Sequence, residues 1–148
     1  MLRREPAPTK MLLLKRASES NGQWCQIAGG IEQNETAWQA ALREVKEETG
    51  FVPEALYSGD ICEQFYEIDK DAIWLAPVFV GFISENQSVQ LNEEHTDFQW
   101  VSIEEAISIV PFSGQRRVYD HVNREFIQRE PNELLRIPLP IEGMSYSI

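Results

Sequence analysis

The sequence predicts an α+β fold, one domain over residues 1–148 in which a mixed β-sheet packs between helices. Three observations carry this. Apolar runs of strand character stand on both sides of a segment whose apolar residues recur at helical spacing. Two more helical patterns follow a pair of long runs rich in β-branched and aromatic residues. No internal repeat or low-complexity block divides the chain, and 148 residues, 43% of them hydrophobic, suffice for an ordinary core.

In chain order, Lys10 to Arg16 reads as a short buried strand with basic flanks, and Asn21-Gly22 as a turn before a second strand, Trp24 to Ala28. Gly29-Gly30 breaks that pattern. From Glu35 to Thr49 there is no Gly or Pro, and Ala37, Trp38, Ala41, Leu42 and Val45 mark a helix face, with Asn34 as N-cap and Gly50 as the stop. Ala55 to Ile68 and Ile73 to Ile83 read as long strands joined by Asp69-Lys70-Asp71, with Pro77 marking an edge or a bulge. Ser84 to His95 is polar and reads as a loop, before a strand at Asp97 to Val101. Ser102 with Glu105 forms a capping box for a helix that Pro111 ends. Ser113 to Arg129 is a third helix, with Val118, Val122 and Phe126 on its buried face, and residues 131–148 form an extended, proline-bearing tail.

Thirteen Lys and Arg oppose 24 Asp and Glu, a net charge of −11, and no basic cluster exists to bind a nucleic-acid backbone. No apolar run reaches the roughly 18 residues of a membrane span, since Ala72 to Ile83 is interrupted by Pro77 and Gly81. Cys25 and Cys62 lack paired spacing and make no zinc pattern with His95 and His121, which are expected on the surface or in loops. Cys25 reads as a small buried residue, and Trp24, Trp38, Trp74 and Trp100 as core. The reading is a cytoplasmic protein with reduced thiols, and the sequons at Asn34 and Asn86 are taken as chance.

Glu44, Glu47 and Glu48 are spaced by three and four, so one helix face carries three carboxylates in its last turns. Such spacing costs a few tenths of a kcal/mol per like-charged pair, and acids near a helix C-terminus oppose the dipole by about 0.3–1 kcal/mol apiece. Positive charge must offset this. Hard oxygen ligands suit Mg²⁺ or Mn²⁺, while Arg43, four before Glu47, also suits a solvated face neutralised without metal.

The wider spacing is more specific. Gly29 is followed by five residues, Glu35, seven residues, then Arg43-Glu44-Val45-Lys46-Glu47-Glu48-Thr49-Gly50-Phe51. This is similar, position for position, to the Nudix box, the loop-helix-loop signature of the Nudix hydrolases, and a chance match is on the order of one in ten million. The strand before the box, Trp24 ahead of Gly29-Gly30, and the acidic segment leading to Trp100-Val101 extend the likeness. Glu94-His95 with Trp100, and Ser113 to Arg116, resemble the bacterial members that act on pterin and nucleoside triphosphates.

The resemblance implies an α/β/α sandwich and a metal-dependent pyrophosphohydrolase that cleaves a nucleotide or pterin polyphosphate by water attack at phosphorus. It makes Glu44 and Glu48 the principal ligands of Mg²⁺ or Mn²⁺, with Glu47 as an additional ligand and the Ala28 carbonyl completing the set. Arg43 would hold the carboxylates, Glu35 would orient the loop and Arg43, and Gly29, Gly30 and Gly50 would shape the motif. Glu94, preferred to Glu93, resembles the family's downstream carboxylate, so either Glu44 or Glu94 activates the water. Lys15 or Arg16 would contact phosphate, and Ser113 would contact phosphate or simply cap its helix.

Two departures stand out. Only ten residues precede Met11, so either Met1 is an internal start, or Leu2 to Thr9 or another subunit of a homodimer supplies the pairing strand, and Ala28 replaces the proline of many members. Hydrolysis of diadenosine polyphosphates and non-catalytic nucleotide sensing are the alternative functions, the intact glutamates speaking against the second.

Overall fold

The computed structural model describes residues 1–4, 8–17 and 22–139. It opens with β1 (Leu2–Arg3) and β2 (Lys10–Arg16). β2 sets the layering. Successive side chains of a strand face opposite ways, and here Met11 and Leu13 enter one core while Leu12 and Leu14 enter another. All four are buried, so the sheet must be covered on both sides.

The cover comes from three helices. On one face α1 (Ala37–Thr49) contributes Val45 to a core with Leu12, Leu14, Phe51 and Ile83. On the other, α2 (Ile103–Ile109) and α3 (Ser113–Val122) pack Ile103, Ala106, Val118, Tyr119 and Val122 against Leu13, Tyr57, Val80 and Phe82. The sheet is completed by β3 (Trp24–Cys25), β4 (Ala55–Glu67), β5 (Ala72–Ile83), β6 (His95–Val101) and β7 (Arg136–Ile137). Its order is β3-β2-β1-β5-β4-β7, with β6 along the other edge of β2. Only β1 with β5 is parallel among the described pairs, so the sheet is mixed and the α+β expectation holds.

Several local expectations are corrected. β3 ends at Cys25, leaving residues 26–30 outside the sheet. The helix begins at Ala37, because Thr36 caps it: the Thr36 hydroxyl accepts from the Gln39 N–H at 3.4 Å and the Gln39 side chain accepts from the Thr36 N–H at 2.7 Å. Asn34 instead sits in a turn at φ 72°. Gly50 does end the helix, in the left-handed conformation at φ 74°, its N–H donating to the Lys46 carbonyl. Pro77 lies opposite Cys62, next to the register shift between Ser58 and Cys62, and on an unpaired side of β5, so it marks both a bulge and an edge. Its outer side needs no N–H, since β1 pairs only with Phe82 and Ile83.

α3 stops being a regular helix at Val122 and continues as a π-turn over Asn123–Ile127 that still buries Phe126. Leu2 and Arg3 do pair with β2, which answers the missing-partner expectation with a very short strand. After a 3₁₀ turn, Glu133–Leu135, the tail adds Arg136–Ile137 to β4, and the rest of the expected extended tail, 140–148, lies outside the described residues, as does Asn21. No tryptophan is fully buried: Trp24 and Trp100 pack on the cores, while Trp74 is 42% exposed. Among the described residues no helix is long and apolar enough to cross a membrane.

Replacing Thr36 by Ala is expected to cost about 1 kcal/mol, read as a lower urea midpoint at unchanged slope.

Candidate active site

The loop before α1 and the helix itself are joined by one side chain. Arg43 donates through Nε and Nη2 to the two Glu35 oxygens at 3.2 and 2.8 Å, and through Nη2 to the Gly30 carbonyl at 2.8 Å. Its Nη1 donates to Glu44 Oε1 at 2.7 Å and to Glu47 Oε2 at 3.1 Å. The pairing pushes the guanidinium even higher in basicity and, with the Glu32 N–H, holds the Glu35 carboxyl below its usual range. A row of like charges thus becomes an alternation of sign, as the spacing of Arg43 and Glu47 suggested.

Glu48 differs from its neighbours. It is only 2% exposed, and its Oε2 is buried with no hydrogen-bond partner. Burial is the main cause that pushes its pKa up to about 8, followed by the charges of Glu44 and Glu94, against the opposing effects of Arg16 and the Ala28 N–H. His95 Nε2 lies 3.8 Å from that oxygen. His95 is buried rather than on the surface or in a loop, because as the first residue of β6 it faces the helix layer. Burial and Arg16 hold its imidazole below the usual range, and its Nδ1 lies 3.2 Å from Asn92 Oδ1.

Gly29 lies against the Glu44 carboxylate. A Cβ there would occupy the space of that carboxylate and displace the end of the side chain.

Alternation along β2 divides the basic pair. Arg16 shares the face of Leu12 and Leu14 and acts on Glu48, whereas Lys15 faces the other way, its ammonium 5.9 Å from the centre of the Trp24 ring. Glu94 is close enough to raise the pKa of Glu48. Ser113 does not cap α3: Phe112 occupies that position with no side-chain bond, and Ser113 is the exposed first residue of the helix.

A second polar group was not singled out from the sequence. Gln26 Oε1 accepts from Tyr119 Oη at 2.7 Å and from Gln115 Nε2 at 3.1 Å, and Gln26 Nε2 donates to Glu63 Oε2 at 3.2 Å. The available signal was weak, one of three acids in β4 and a glutamine just before the box.

Among the described residues no three His, Cys, Asp or Glu side chains gather in a form that would hold a metal ion, because Arg43 draws Glu44 and Glu47 to itself. The chemistry of the set nonetheless suits a hard divalent ion. An orphaned, buried carboxylate oxygen on Glu48, with the Glu44 charge beside it, is costly without a cation.

A carboxyl whose pKa rises on folding takes up a proton between its unfolded value and about pH 8, so its contribution makes stability fall as pH increases through that window. In chelator, the melting temperature of the parent protein is therefore expected to drop more between pH 5 and pH 9 than that of Glu48→Gln. Parallel curves would refute the buried charge.

Comparison with known proteins places this geometry. The family model described as NUDIX domain matches residues 2–128. An asymmetrical bis(5'-nucleosyl)-tetraphosphatase of Caenorhabditis elegans is 33% identical over 107 residues, covering 68% of this chain and 74% of that protein. Nucleoside triphosphatase NudI of Escherichia coli O139:H28 is 31% identical over 106 residues, covering 65% and 75%. The solved E. coli dihydroneopterin triphosphate pyrophosphohydrolase shares the fold, with a TM-score of 0.67 at 21% identity over 80% of this chain and 86% of that one. The family match contains the whole loop-helix-loop organised by Arg43, and the chain belongs to the Nudix family of hydrolases, as a pyrophosphohydrolase.

Proposed function

We propose that this enzyme hydrolyses a nucleoside or pterin triphosphate to the monophosphate and pyrophosphate, with Mg²⁺ or Mn²⁺ as cofactor and in the cytoplasm. The observation that carries the reading is Glu48, a buried carboxylate with an unpartnered oxygen beside Glu44, in the helix that bears the family motif. Glu44 and Glu48 would hold the ion, with Glu47 and the Ala28 carbonyl as further donors. The ion, when bound, neutralises phosphate charge and acidifies water, which also answers why a chain of net charge −11 takes a polyanion.

The chain's own groups do the rest. Water forms a new O–P bond while the P–O anhydride bond breaks, pyrophosphate leaves, and the proton passes to a carboxylate, Glu44 or Glu94. Arg43 with Glu35 and the Gly30 carbonyl keeps the loop and helix in register through this step. Arg16, on the carboxylate side of β2, is the better placed of the basic pair for phosphate; Lys15 and Ser113 have the weaker claim.

A second reading, hydrolysis of a bis(5'-nucleosyl) tetraphosphate, is favoured by the similarity to the C. elegans tetraphosphatase. Products separate the two. Incubation with Mg²⁺ and dATP, dGTP, dihydroneopterin triphosphate or diadenosine tetraphosphate is expected to give chelator-sensitive pyrophosphate from a triphosphate. A mononucleotide plus a longer nucleotide from the tetraphosphate, with triphosphates untouched, would select the second reading.

Glu44→Gln and Glu48→Gln are each expected to lower turnover by about 10²-fold or more with the circular dichroism spectrum intact. Normal turnover of folded Glu48→Gln would remove the metal assignment. Gly29→Ala, which displaces the Glu44 carboxylate, is expected to lower kcat by about 10²-fold.

A further inference from the structure

We propose that Glu63 and Gln26 read the ring edge of the substrate and select the 2-amino-oxo pyrimidine edge that guanine and pterins share over the amino edge of adenine. This deepens the triphosphate reading above and rests on it for the orientation of the substrate.

The place is defined by a cavity of about 460 Å³ whose walls include Gly29 and Glu44 together with Gln26, Glu63, Trp74 and Tyr119. A cavity of that size accommodates a nucleotide. Residues 26–30 belong to no strand or helix, and this short stretch of backbone runs from the Gln26 group toward the carboxylate helix. Phosphates at Glu44 leave the heterocycle for the Glu63 end.

The orientation of Gln26 is set by its neighbours. The Glu63 carboxylate, an acceptor when ionised, takes the NH₂ end of Gln26, and Gln26 Oε1 accepts from Tyr119 Oη and Gln115 Nε2. One hydrogen of that NH₂ goes to Glu63 Oε2, leaving the second to donate. Glu63 is half-buried, and its carboxyl is pushed above the usual range by burial, against the smaller opposing effects of Gln26 and Arg117. Its Oε2 accepts from Gln26, and further N–H donors would stabilise the charged form. The edge presented is therefore two carboxylate acceptors beside one amide donor.

Its complement is two N–H donors beside a carbonyl, the pattern of an exocyclic amine, a ring N–H and an oxo group in sequence. Parallel N–H groups facing a carboxylate make charge-assisted bidentate bonds. Adenine supplies one donor and one acceptor and leaves a carboxylate oxygen facing carbon. An aromatic wall is at hand: Glu63 pairs with Ala76 across the hairpin, so Trp74, two residues along β5, lies on the same face. The half-exposed Trp74 ring would lie against the heterocycle as flipped bases lie against aromatic side chains in other enzymes.

Calorimetric titration of the full chain with GMP, IMP, AMP and neopterin monophosphate tests this without turnover. GMP and the pterin are expected to bind about tenfold or more tightly than AMP. IMP, which lacks the amino group, is expected between them, and the stronger of GMP and pterin identifies the source of the ring. Glu63→Gln is expected to reduce the GMP to AMP ratio to about one. Equal affinities for GMP, IMP and AMP in the parent protein overturn the inference whatever the variant does. Selective binding with no hydrolysis of any triphosphate would retain the ring site and remove the proposed reaction, whereas hydrolysis without selectivity would do the reverse.

Discussion

Everything at the carboxylate helix depends on one guanidinium. Arg43 joins the Gly30 carbonyl, Glu35, Glu44 and Glu47, that is, both the loop that approaches the helix and the acids the helix displays. A planar group with five N–H donors can do this, whereas a lysine ammonium cannot hold so many partners in fixed directions. Without it, acids at three- and four-residue spacing near a helix C-terminus would repel one another and the dipole. Arg43 sits in the same loop-helix unit as the capping box of Thr36 and the left-handed Gly50, so the unit is closed at both ends and braced across its middle.

Glu48 is the exception that this brace does not reach. Its carboxyl is buried, partly surrounded by other acids, and has an oxygen with no partner, an arrangement that costs stability in the absence of a cation. Such a cost is expected where a side chain serves chemistry instead of packing, and it gives the proposed metal site a physical motive that does not rest on the motif alone. The buried, weakly basic His95 beside it limits the space and the charge available to that oxygen.

The layered architecture serves the site by separating faces. Because β2 is apolar at four successive positions, both faces are covered, and its basic end is split between them: Arg16 goes to the carboxylate side, Lys15 to the Trp24 side. The same separation puts Gln26, Gln115, Tyr119 and Glu63 around the α3 layer, with Gln26, Tyr119 and Glu63 in the wall of the cavity that Glu44 also lines. The residues proposed for phosphate and those proposed for the ring thus belong to different layers, joined by the short segment outside the sheet that carries Gly29 and Gly30.

Much of this was legible in the residues themselves. The box, the boundaries of β2, the long hairpin, the capping box at Ser102 and the stop at Gly50 all arise from local chemistry: periodicity, turn residues, and side chains that satisfy nearby backbone groups. Even the link from Arg43 to Glu47 is a helix-spacing effect. What local chemistry could not supply were distances between segments far apart in the chain. The burial of His95 against Glu48, the choice of Arg16 over Lys15, the failure of Ser113 to cap α3 and the group formed by Gln26, Glu63, Gln115 and Tyr119 all depend on how strands and helices pack. Sequence by itself determined the elements and the helix that bears the family motif, because those rest on contacts within a few residues. Tertiary structure alone decided which side chains share a cavity and which charges lose their water, because burial is a property of the assembled layers.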